Sequence, residues 1–376
     1  MKLSCKRPKS NSLIILALTA LALSMVFAPA ASFAAASQGL SLWWQVVVPA
    51  LLPFFIISEL LLELQVSRYL GAAMSPLMRP LFALPGSASL TVALGFCAGF
   101  PSGAALTAAL RRKGEISRAE GERLICFTNN SSLLYLTVAV AEGLFHCPAA
   151  ALLLATVHYG GNLLIGAVLG MLARQRHIDP TAGRYQISKD TETAPPLAGL
   201  GGMIKAAASR AAANIAIIGC LMAFFAVLTG MINHLPLPPQ PLQQGFFQGF
   251  FEMSLGVNAL ADSGLPLKYA LPAAAAVIGF GGLSVQMQVL AMVGDTDIRI
   301  WPYLLCRVLH AALSYAGVAL LMPLLSLQVA LTTKIMPTAL PLFLHSLLIC
   351  LIAVATLVSL ALLMRAGIFL RARRKN

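Results

Sequence analysis

Segment 93–106 places three glycines, a proline and a serine inside a stretch that is otherwise apolar enough to enter a membrane. In hydrocarbon, each freed backbone N–H or C=O group costs several kcal/mol, so an interrupted helix persists only where protein or a water-filled cavity surrounds it. Membrane transporters bind their solutes at such interruptions. The segment therefore predicts non-helical backbone with a binding role inside a membrane protein.

The composition of the whole chain excludes a water-soluble globule. Charged residues make up 10% and hydrophobic residues 59% of the 376 residues, whereas soluble domains carry about 25% charged residues. Long apolar runs, each close to the roughly 20 residues that cross a bilayer core, lie at 13–36, 43–64, 87–110, 124–145, 148–172, 214–233, 267–293, 301–326 and 340–364. We therefore predict an all-α polytopic membrane protein with about 8–9 membrane-embedded helices.

The net charge of +13 comes from Lys and Arg that cluster at the two chain ends and in two loops, 111–123 and 174–189. By the positive-inside rule these four regions are expected to be cytoplasmic. The clusters describe topology, so no nucleic-acid partner is predicted, and membrane lipids are the expected surroundings. The seven cysteines show no paired spacing, which argues against a disulfide framework, a metal site or a cofactor.

A polar, proline-containing stretch divides the chain into two halves. We predict an N-terminal membrane anchor or leader, a first membrane repeat, a cytoplasmic linker, a second membrane repeat, and a C-terminal transmembrane helix with a basic tail, at 1–37, 38–173, 174–202, 203–330 and 331–376. The first 36 residues fit either a retained helix or a removed secretory leader. The long apolar core favours the retained helix.

Each half has an acidic residue in an aromatic apolar segment, followed by a glycine-rich interruption. In the first half these are Glu59 and 95–99, and in the second half Glu252 and 279–284. Glycine breaks at corresponding positions of two halves indicate a transporter site at a repeat interface. The spacing differs between the halves. We expect two pseudo-repeats with broken helices and re-entrant hairpins, while the mixed charges near 262–299 leave open the face from which the second hairpin enters.

The first candidate site is the tip of segment 93–106, with Gly99, Pro101, Ser102 and Gly103. Ser102 is predicted to be the N-cap of a half-helix whose free N–H groups and positive dipole end face an anion. The alternative is close helix packing through small residues, because Gly95 and Gly99 have the Gly-x-x-x-Gly spacing. The adjacent proline favours a true interruption.

The second candidate site is a run of five polar residues in an apolar segment: Thr128, Asn129, Asn130, Ser131 and Ser132. These side chains cannot all find partners on one intact helix, and their donors and acceptors suit a carboxylate, a heterocycle or Na⁺. The alternative is an interfacial loop that follows the cytoplasmic charges.

The third candidate site is Gly281, Gly282, Ser284 and Gln286, where glycine permits an unwound backbone and the polar side chains offer hydrogen bonds. Helix packing is again the alternative reading.

Glu59 and Glu252 are candidates for H⁺ or Na⁺ coupling or for structural pairing, because a carboxylate inside a membrane is costly. Arg307 and His310 also lie in an apolar run. A structural ion pair with these acids is their expected role, and an anionic substrate is the alternative. No catalytic residue is predicted, since the spacing around Ser102 departs from the Gly-x-Ser-x-Gly nucleophile motif. The chain is not expected to be an enzyme.

Several motifs in order resemble the YlbJ-type sporulation integral membrane proteins. They lie at 42–44, 49–55, 76–82, 95–104 and 118–131. The resemblance is densest over 39–170 and continues more weakly through 279–288. That family carries a nucleoside-recognition (Gate) domain related to concentrative nucleoside transporters, which implies that both repeats are of the Gate type. Phe100 stands here where the family usually has tyrosine.

The resemblance implies a multi-pass protein of an endospore-forming bacterium, in the outer forespore membrane, with other sporulation membrane proteins as candidate partners. It also implies a secondary-type transporter of a small organic anion, with dipicolinic acid as the favoured cargo. Half-helix N-termini near Ser102 and Ser131 and the amides of Asn129 and Asn130 would receive its two carboxylates. The alternatives are a nucleoside or other organic-solute carrier and a non-transporting sporulation scaffold.

Overall fold

The computed structural model describes residues 11–64, 66–175, 200–232 and 240–335, and these residues contain helices and no strands. The α-helices are α1 (Asn11–Phe27), α2 (Pro29–Leu42), α3 (Val48–Glu63), α4 (Val66–Phe82), α5 (Ser89–Ala98), α6 (Ser102–Arg112), α7 (Arg118–Thr128), α8 (Ala150–Gln175), α9 (Leu200–Ile232), α10 (Pro241–Phe251), α11 (Met253–Ala261), α12 (Leu267–Phe280), α13 (Gly282–Val293) and α14 (Trp301–Ile335). Two π-helices, Trp43–Val47 and Tyr135–Leu144, and a 3₁₀ turn at Gly86–Ala88 complete the set. The predicted all-helical membrane-protein class is confirmed.

Four helical segments in the described ranges are long and apolar enough to cross a membrane: Ala150–Gln175, Gly201–Met231, Leu267–Val293 and Trp301–Pro323. The third of these segments consists of α12 and α13 together. Two sharply bent pairs raise the number to as many as six; they bend by 109° between α1 and α2 and by 91° between α4 and the segment ending at Ala98. The predicted C-terminal helix at 340–364 and most of the linker at 174–202 lie outside the described residues.

Helices α5 and α6 form a helical hairpin, the first hairpin. A Cβ built on Gly95 would lie 3.3 Å from the Cα of Gly103, whereas an unbroken helix would separate these residues by about 12 Å. The chain reverses at its tip, where Gly99 has a φ of +88°, a conformation that glycine adopts readily. The predicted interruption of segment 93–106 is therefore a reversal of the chain.

Helices α10 and α11 form the second hairpin, with Glu252 at its tip. A Cβ built on Gly256 would overlap the Cα of Gly249, and one on Gly245 would overlap the side chain of Leu260. Glycine thus lets the two arms lie backbone against backbone.

Each hairpin precedes a broken helix. Helix α7 starts with a capping box between Ser117 and Glu120 and ends at Thr128, and residues 129–132 are non-helical before helix resumes; we call 129–132 the first break. Helices α12 and α13 meet at Gly281, whose φ is +91°; we call Gly281 the second break. Both halves therefore run hairpin, broken helix, long helix.

This order corrects the pairing of 95–99 with 279–284. The first of these lies in a hairpin, whereas the second lies in the single span Leu267–Val293. The hairpin of the second half is α10–α11, and the counterpart of Gly281 is the first break. Glycine content alone does not distinguish a reversal from a kink, because both need the same backbone freedom.

The bases of the two hairpins lie at opposite ends of the protein. Arg111 pairs with Asp297 at 2.9 Å and Arg112 with Asp295 at 2.9 Å, which puts the base of the first hairpin beside the α13–α14 loop. We call this the basic end. Because α12–α13 crosses the molecule, Leu267 lies at the other end, and so does the base of the second hairpin just before it. The halves are thus inverted relative to each other, as in many transporters.

Helix α2 packs along α9. A Cβ on Gly39 would lie 2.7 Å from the Cβ of Ala226, and the indole N–H of Trp43, just after α2, donates to the carbonyl of Ile215 at 3.0 Å. The small-residue run at 30–36 lies within α2. That this helix is retained stays a prediction.

Candidate functional site

The first hairpin packs directly onto the first break. A Cβ on Gly103 would overlap the carbonyl oxygen of Thr128, one on Gly95 would lie 2.5 Å from the same oxygen, and one on Gly99 would lie 3.0 Å from the Cβ of Ser132. The interruption and the small-residue packing, weighed as alternatives from the sequence, are therefore both present.

The second hairpin packs onto the second break. A Cβ on Gly282 would lie 2.9 Å from the backbone nitrogen of Met253, next to Glu252 at the hairpin tip. The Phe100 ring at the tip of the first hairpin reaches within 3.7 Å of a Cβ built on Gly281. Tyr135, just after the first break, packs in the same hydrophobic cluster as Met253 of the second hairpin. The two hairpin tips and the two breaks thus meet in one place, which we call the break cluster.

The predicted N-cap role of Ser102 is wrong by one residue. Pro101 occupies the N-cap position, and the Ser102 hydroxyl donates to the carbonyl of Gly99 at 2.6 Å. The helix begins earlier because the Pro101 carbonyl already accepts the N–H groups of Ala104 and Ala105. A side chain from the first break also contributes, since Oδ1 of Asn129 accepts the N–H of Ala104 at 2.9 Å.

The polar run is buried inside the protein from Thr128 to Ser131, and Ser132 is half-buried. Asn129 and Asn130 are 0% exposed. Their amide nitrogens donate to the carbonyls of Ile125 at 2.9 Å and Phe127 at 3.3 Å. In this closed arrangement the two amides hold the end of α7, and their contact with a solute stays a prediction.

Helix α8 supplies three partners of the first break that the sequence interpretation missed. The Ser131 N–H donates to Nε2 of His158 at 3.0 Å, and the Tyr159 hydroxyl donates to the Ser131 carbonyl at 3.0 Å. The Asn162 amide donates to Oδ1 of Asn130 at 2.5 Å. A signal was available, because these three polar residues share one side of an otherwise apolar helix.

At the second break, the Gln286 amide donates to the carbonyl of Phe280 at 2.7 Å, and its Oε1 is buried without a hydrogen-bond partner. Ser284 is 4% exposed. Gly281 and Gly282 both have positive φ. The four predicted residues of this site therefore lie together on the second break.

The two predicted acids lie in different places. Arg210 of α9 pairs with Glu59 at 2.7 Å and with Glu63 at 2.5 Å, which joins α3 to α9 outside the break cluster. Glu252 lies within the break cluster and accepts the N–H of Leu255 at 2.8 Å as the N-cap of α11. A role of either acid in ion coupling stays a prediction.

Helix α14 presents a buried polar face to the breaks, formed by Tyr303, Arg307, His310 and Ser314, each at most 1% exposed. The Arg307 guanidinium donates to the carbonyls of Asn129 at 3.0 Å and Cys126 at 2.9 Å. The expected ion pair with Glu59 or Glu252 is therefore wrong. Those acids are held elsewhere, and Arg307 binds the carbonyl end of α7 instead.

Two histidines connect the breaks. The rings of His158 and His310 lie 4.7 Å apart. The ring nitrogens of His310 contact the carbonyls of His158 at 2.9 Å and of Gly279, next to the second break, at 3.2 Å. Within the described residues, no three His, Cys, Asp or Glu side chains are grouped as metal ligands.

A narrow gap adjoins the break cluster and leaves no room for a water molecule. It is lined by Leu136, Leu154, Val157, His158, Ala275, Ile278 and Ser314. The buried site residues and this tight packing describe a closed conformation.

Comparisons with known proteins show the family of the chain. The family described as nucleoside recognition (Gate) matches residues 44–187, which contain the first hairpin and the first break. The sporulation integral membrane protein YlbJ of Bacillus subtilis (strain 168) is 34% identical over 342 aligned residues that cover 83% of each chain. No solved structure matches the chain. The chain belongs to the YlbJ family of sporulation integral membrane proteins.

Proposed function

We propose that this protein is a secondary-type transporter of a small organic anion, and that its cargo is dipicolinic acid moved across the outer forespore membrane. The observation that carries the proposal is the break cluster, in which two hairpins with bases at opposite ends of the protein meet two broken helices. Non-helical backbone at membrane depth, at the contact of inverted halves, is the usual setting of a transporter site. The protein is proposed to have no catalytic activity.

The geometry supports alternating access. One hairpin shields the break cluster from the basic end and the other shields it from the opposite end, so movement of one at a time would open the site to one side. Na⁺ or H⁺ is the proposed driving ion. Glu252 is the better placed of the two acids to take part, because it lies in the break cluster while Glu59 is paired with Arg210.

Dipicolinate is a planar pyridine with two carboxylates. In the closed structure the N-terminal end of α6 and the amides of Asn129 and Asn130 hydrogen-bond within the protein, and they would become donors to the cargo when the site opens. Ser284 and Gln286 would provide polar groups on the other side of the break cluster. Helix N-termini favour anions. Membership in a sporulation family supports this cargo, because the relative in Bacillus subtilis bears the name of a sporulation membrane protein.

A nucleoside carrier is the second candidate, and the match to the nucleoside recognition family favours it. Nucleosides are uncharged, whereas the buried cation Arg307 contacts the first break. A buried cation is better matched to an anionic cargo.

Uptake by purified protein in proteoliposomes tests the proposal. Labelled dipicolinate should accumulate, and an excess of unlabelled dipicolinate should compete better than an excess of uridine. The double variant Asn129→Ala and Asn130→Ala should lose most uptake, while Asn258→Ala, at an exposed asparagine of α11, should retain it.

Three results would contradict these assignments. Unchanged uptake by the double variant would reject Asn129 and Asn130 as site residues. Uptake of uridine in place of dipicolinate would select the nucleoside carrier. No uptake of either solute, together with full function in sporulating cells when a bulky residue replaces Gly95, would select the scaffold.

A further inference from the structure

Arg307 is a fully buried charge without a carboxylate partner in the described part of the chain. It is 0% exposed, and all its hydrogen bonds go to uncharged oxygens: the carbonyls of Asn129 and Cys126 and the side-chain Oδ1 of Asn162. A guanidinium keeps its proton under all physiological conditions. A desolvated ion is strongly destabilising unless an opposite charge offsets it. Within the described residues, this positive charge beside the first break therefore meets carbonyls, an amide oxygen and the Tyr303 ring, whose centroid lies 5.4 Å from Cζ, but no carboxylate.

The end of α7 offsets only part of this charge. Cys126 and Asn129 provide carbonyls at its C-terminal end, where a helix dipole amounts to roughly half of a negative charge. These contacts cap the helix but leave the Nε–H of Arg307 without an acceptor. The remaining positive charge indicates that an anion completes the site.

One edge of the guanidinium is arranged to receive a carboxylate. Its Nε is buried and has no hydrogen-bond partner, and Nη2 on the same edge donates to Oδ1 of Asn162 at 2.6 Å. Arginine binds carboxylates with two parallel N–H groups from one such edge. An incoming carboxylate would take the free Nε–H and displace the Asn162 oxygen from Nη2.

We propose that Arg307 binds a carboxylate of the transported anion through its Nε–Nη2 edge. The inference rests on the proposed function and names the residue that selects an acid over a neutral cargo. Displacement of Asn162 would also release its partner Asn130, since the Asn162 amide donates to Oδ1 of Asn130 at 2.5 Å. Occupation of the site is thereby connected to rearrangement of the first break.

Binding selectivity tests this role. The wild-type protein in detergent is titrated calorimetrically with pyridine-2,6-dicarboxylate and with its neutral analogue, pyridine-2,6-dicarboxamide. The wild type should prefer the dicarboxylate, and Arg307→Gln should lower that preference by about tenfold or more, as expected for loss of a charge-assisted hydrogen bond. Affinity for the dicarboxamide should change little.

Arg123→Gln is the matched control. Arg123 lies on α7, donates to the Ala83 carbonyl at 2.7 Å and has Glu120 and Glu122 nearby. The substitution therefore removes one arginine charge, as Arg307→Gln does, but at a position away from the break cluster. This variant should retain the wild-type preference.

If Arg307→Gln does not fold, Arg307→Lys carries the test, because lysine keeps the charge but lacks the two-donor edge. It should bind the dicarboxylate about tenfold more weakly without a matching loss for the dicarboxamide. An unchanged ratio of the two affinities in either folded variant would overturn the inference and leave the proposed function standing. A wild type that binds neither compound would overturn both.

Discussion

At the scale of single residues, one carbonyl oxygen determines which side chains the first hairpin tolerates. The oxygen of Thr128 lies against both Gly95 and Gly103, at positions where a Cβ atom would come too close. The contact is with backbone at the end of α7, so a rotamer change cannot relieve it. Glycine at these positions is therefore a packing requirement of the break cluster.

Gly103→Ala should lower the melting temperature of the detergent-solubilised protein. Overpacking of this kind costs about 1–3 kcal/mol, because the new Cβ would overlap the Thr128 oxygen. The control is Gly160→Ala on α8, where nothing lies within 4 Å of a built Cβ. That variant should be neutral or more stable by up to about 1 kcal/mol. Equal melting temperatures for the two variants would contradict the close packing.

At the scale of elements, ion pairs at the basic end connect the first hairpin and α7 to the α13–α14 loop. Glu122 of α7 accepts hydrogen bonds from Arg299 at 2.7 Å and from Arg118 at 3.0 Å. Burial by itself would raise the pKa of the Glu122 carboxyl, but the hydrogen bonds from these two arginines lower the pKa below its ordinary value. A hydrogen bond from Arg111 is the main cause of the lowered pKa of Asp297.

The lowered pKa of Glu122 predicts a specific pH dependence. Because the carboxyl binds its proton less readily in the folded state, its stabilising contribution is complete above the unfolded pKa, about 4.3, and is lost as the pH falls through the folded value. The difference in melting temperature between the wild type and Glu122→Gln should therefore be constant from pH 7 to about pH 5 and shrink at lower pH.

Glu142→Gln serves as the control for that series, because Glu142 is exposed and lies on the π-helix Tyr135–Leu144, away from the basic end. Its difference from the wild type should stay small across the range. A stability difference for Glu122→Gln that grows on acidification would contradict the assignment.

At the scale of the whole molecule, the inverted halves close the break cluster from both ends. The pairs Arg111–Asp297 and Arg112–Asp295 join the two halves at the basic end. Ser102 behind them is 0% exposed. Opening toward the basic end would separate these pairs, so their loss should shift the population toward an open state.

Cysteine labelling measures this shift. In a background without native cysteines, Ser102→Cys should react slowly with a maleimide in detergent. The added changes Asp295→Asn and Asp297→Asn should raise that rate by up to roughly thirtyfold, since exposed ion pairs contribute about 0–1 kcal/mol each. As the control, Asp262→Cys places a cysteine at an exposed position at the opposite end. It should react at the same rate with and without the changes at Asp295 and Asp297. An unchanged rate at Ser102 would show that these pairs do not hold the closed state.

The amino-acid sequence alone determined the membrane class and the positions of three interruptions in the chain. Gly99, the polar run after Thr128 and Gly281 were all identified, because the cost of unpaired backbone in a bilayer depends on local sequence. The second hairpin was expected at 279–284 and not at α10–α11, since Gly245, Gly249 and Gly256 are recognisable as a contact surface only once α10 and α11 lie side by side.

Only the tertiary structure decided which groups meet at the break cluster. The position of Arg307 in an apolar run predicted that its side chain is buried. The sequence did not distinguish a carboxylate partner from the carbonyls at the end of α7. The inversion of the halves was likewise undecided until the ion pairs at the basic end related the first hairpin to the α13–α14 loop. The physical reason is that backbone breaks are specified by neighbouring residues, whereas the partner of a buried charge is specified by residues far along the chain.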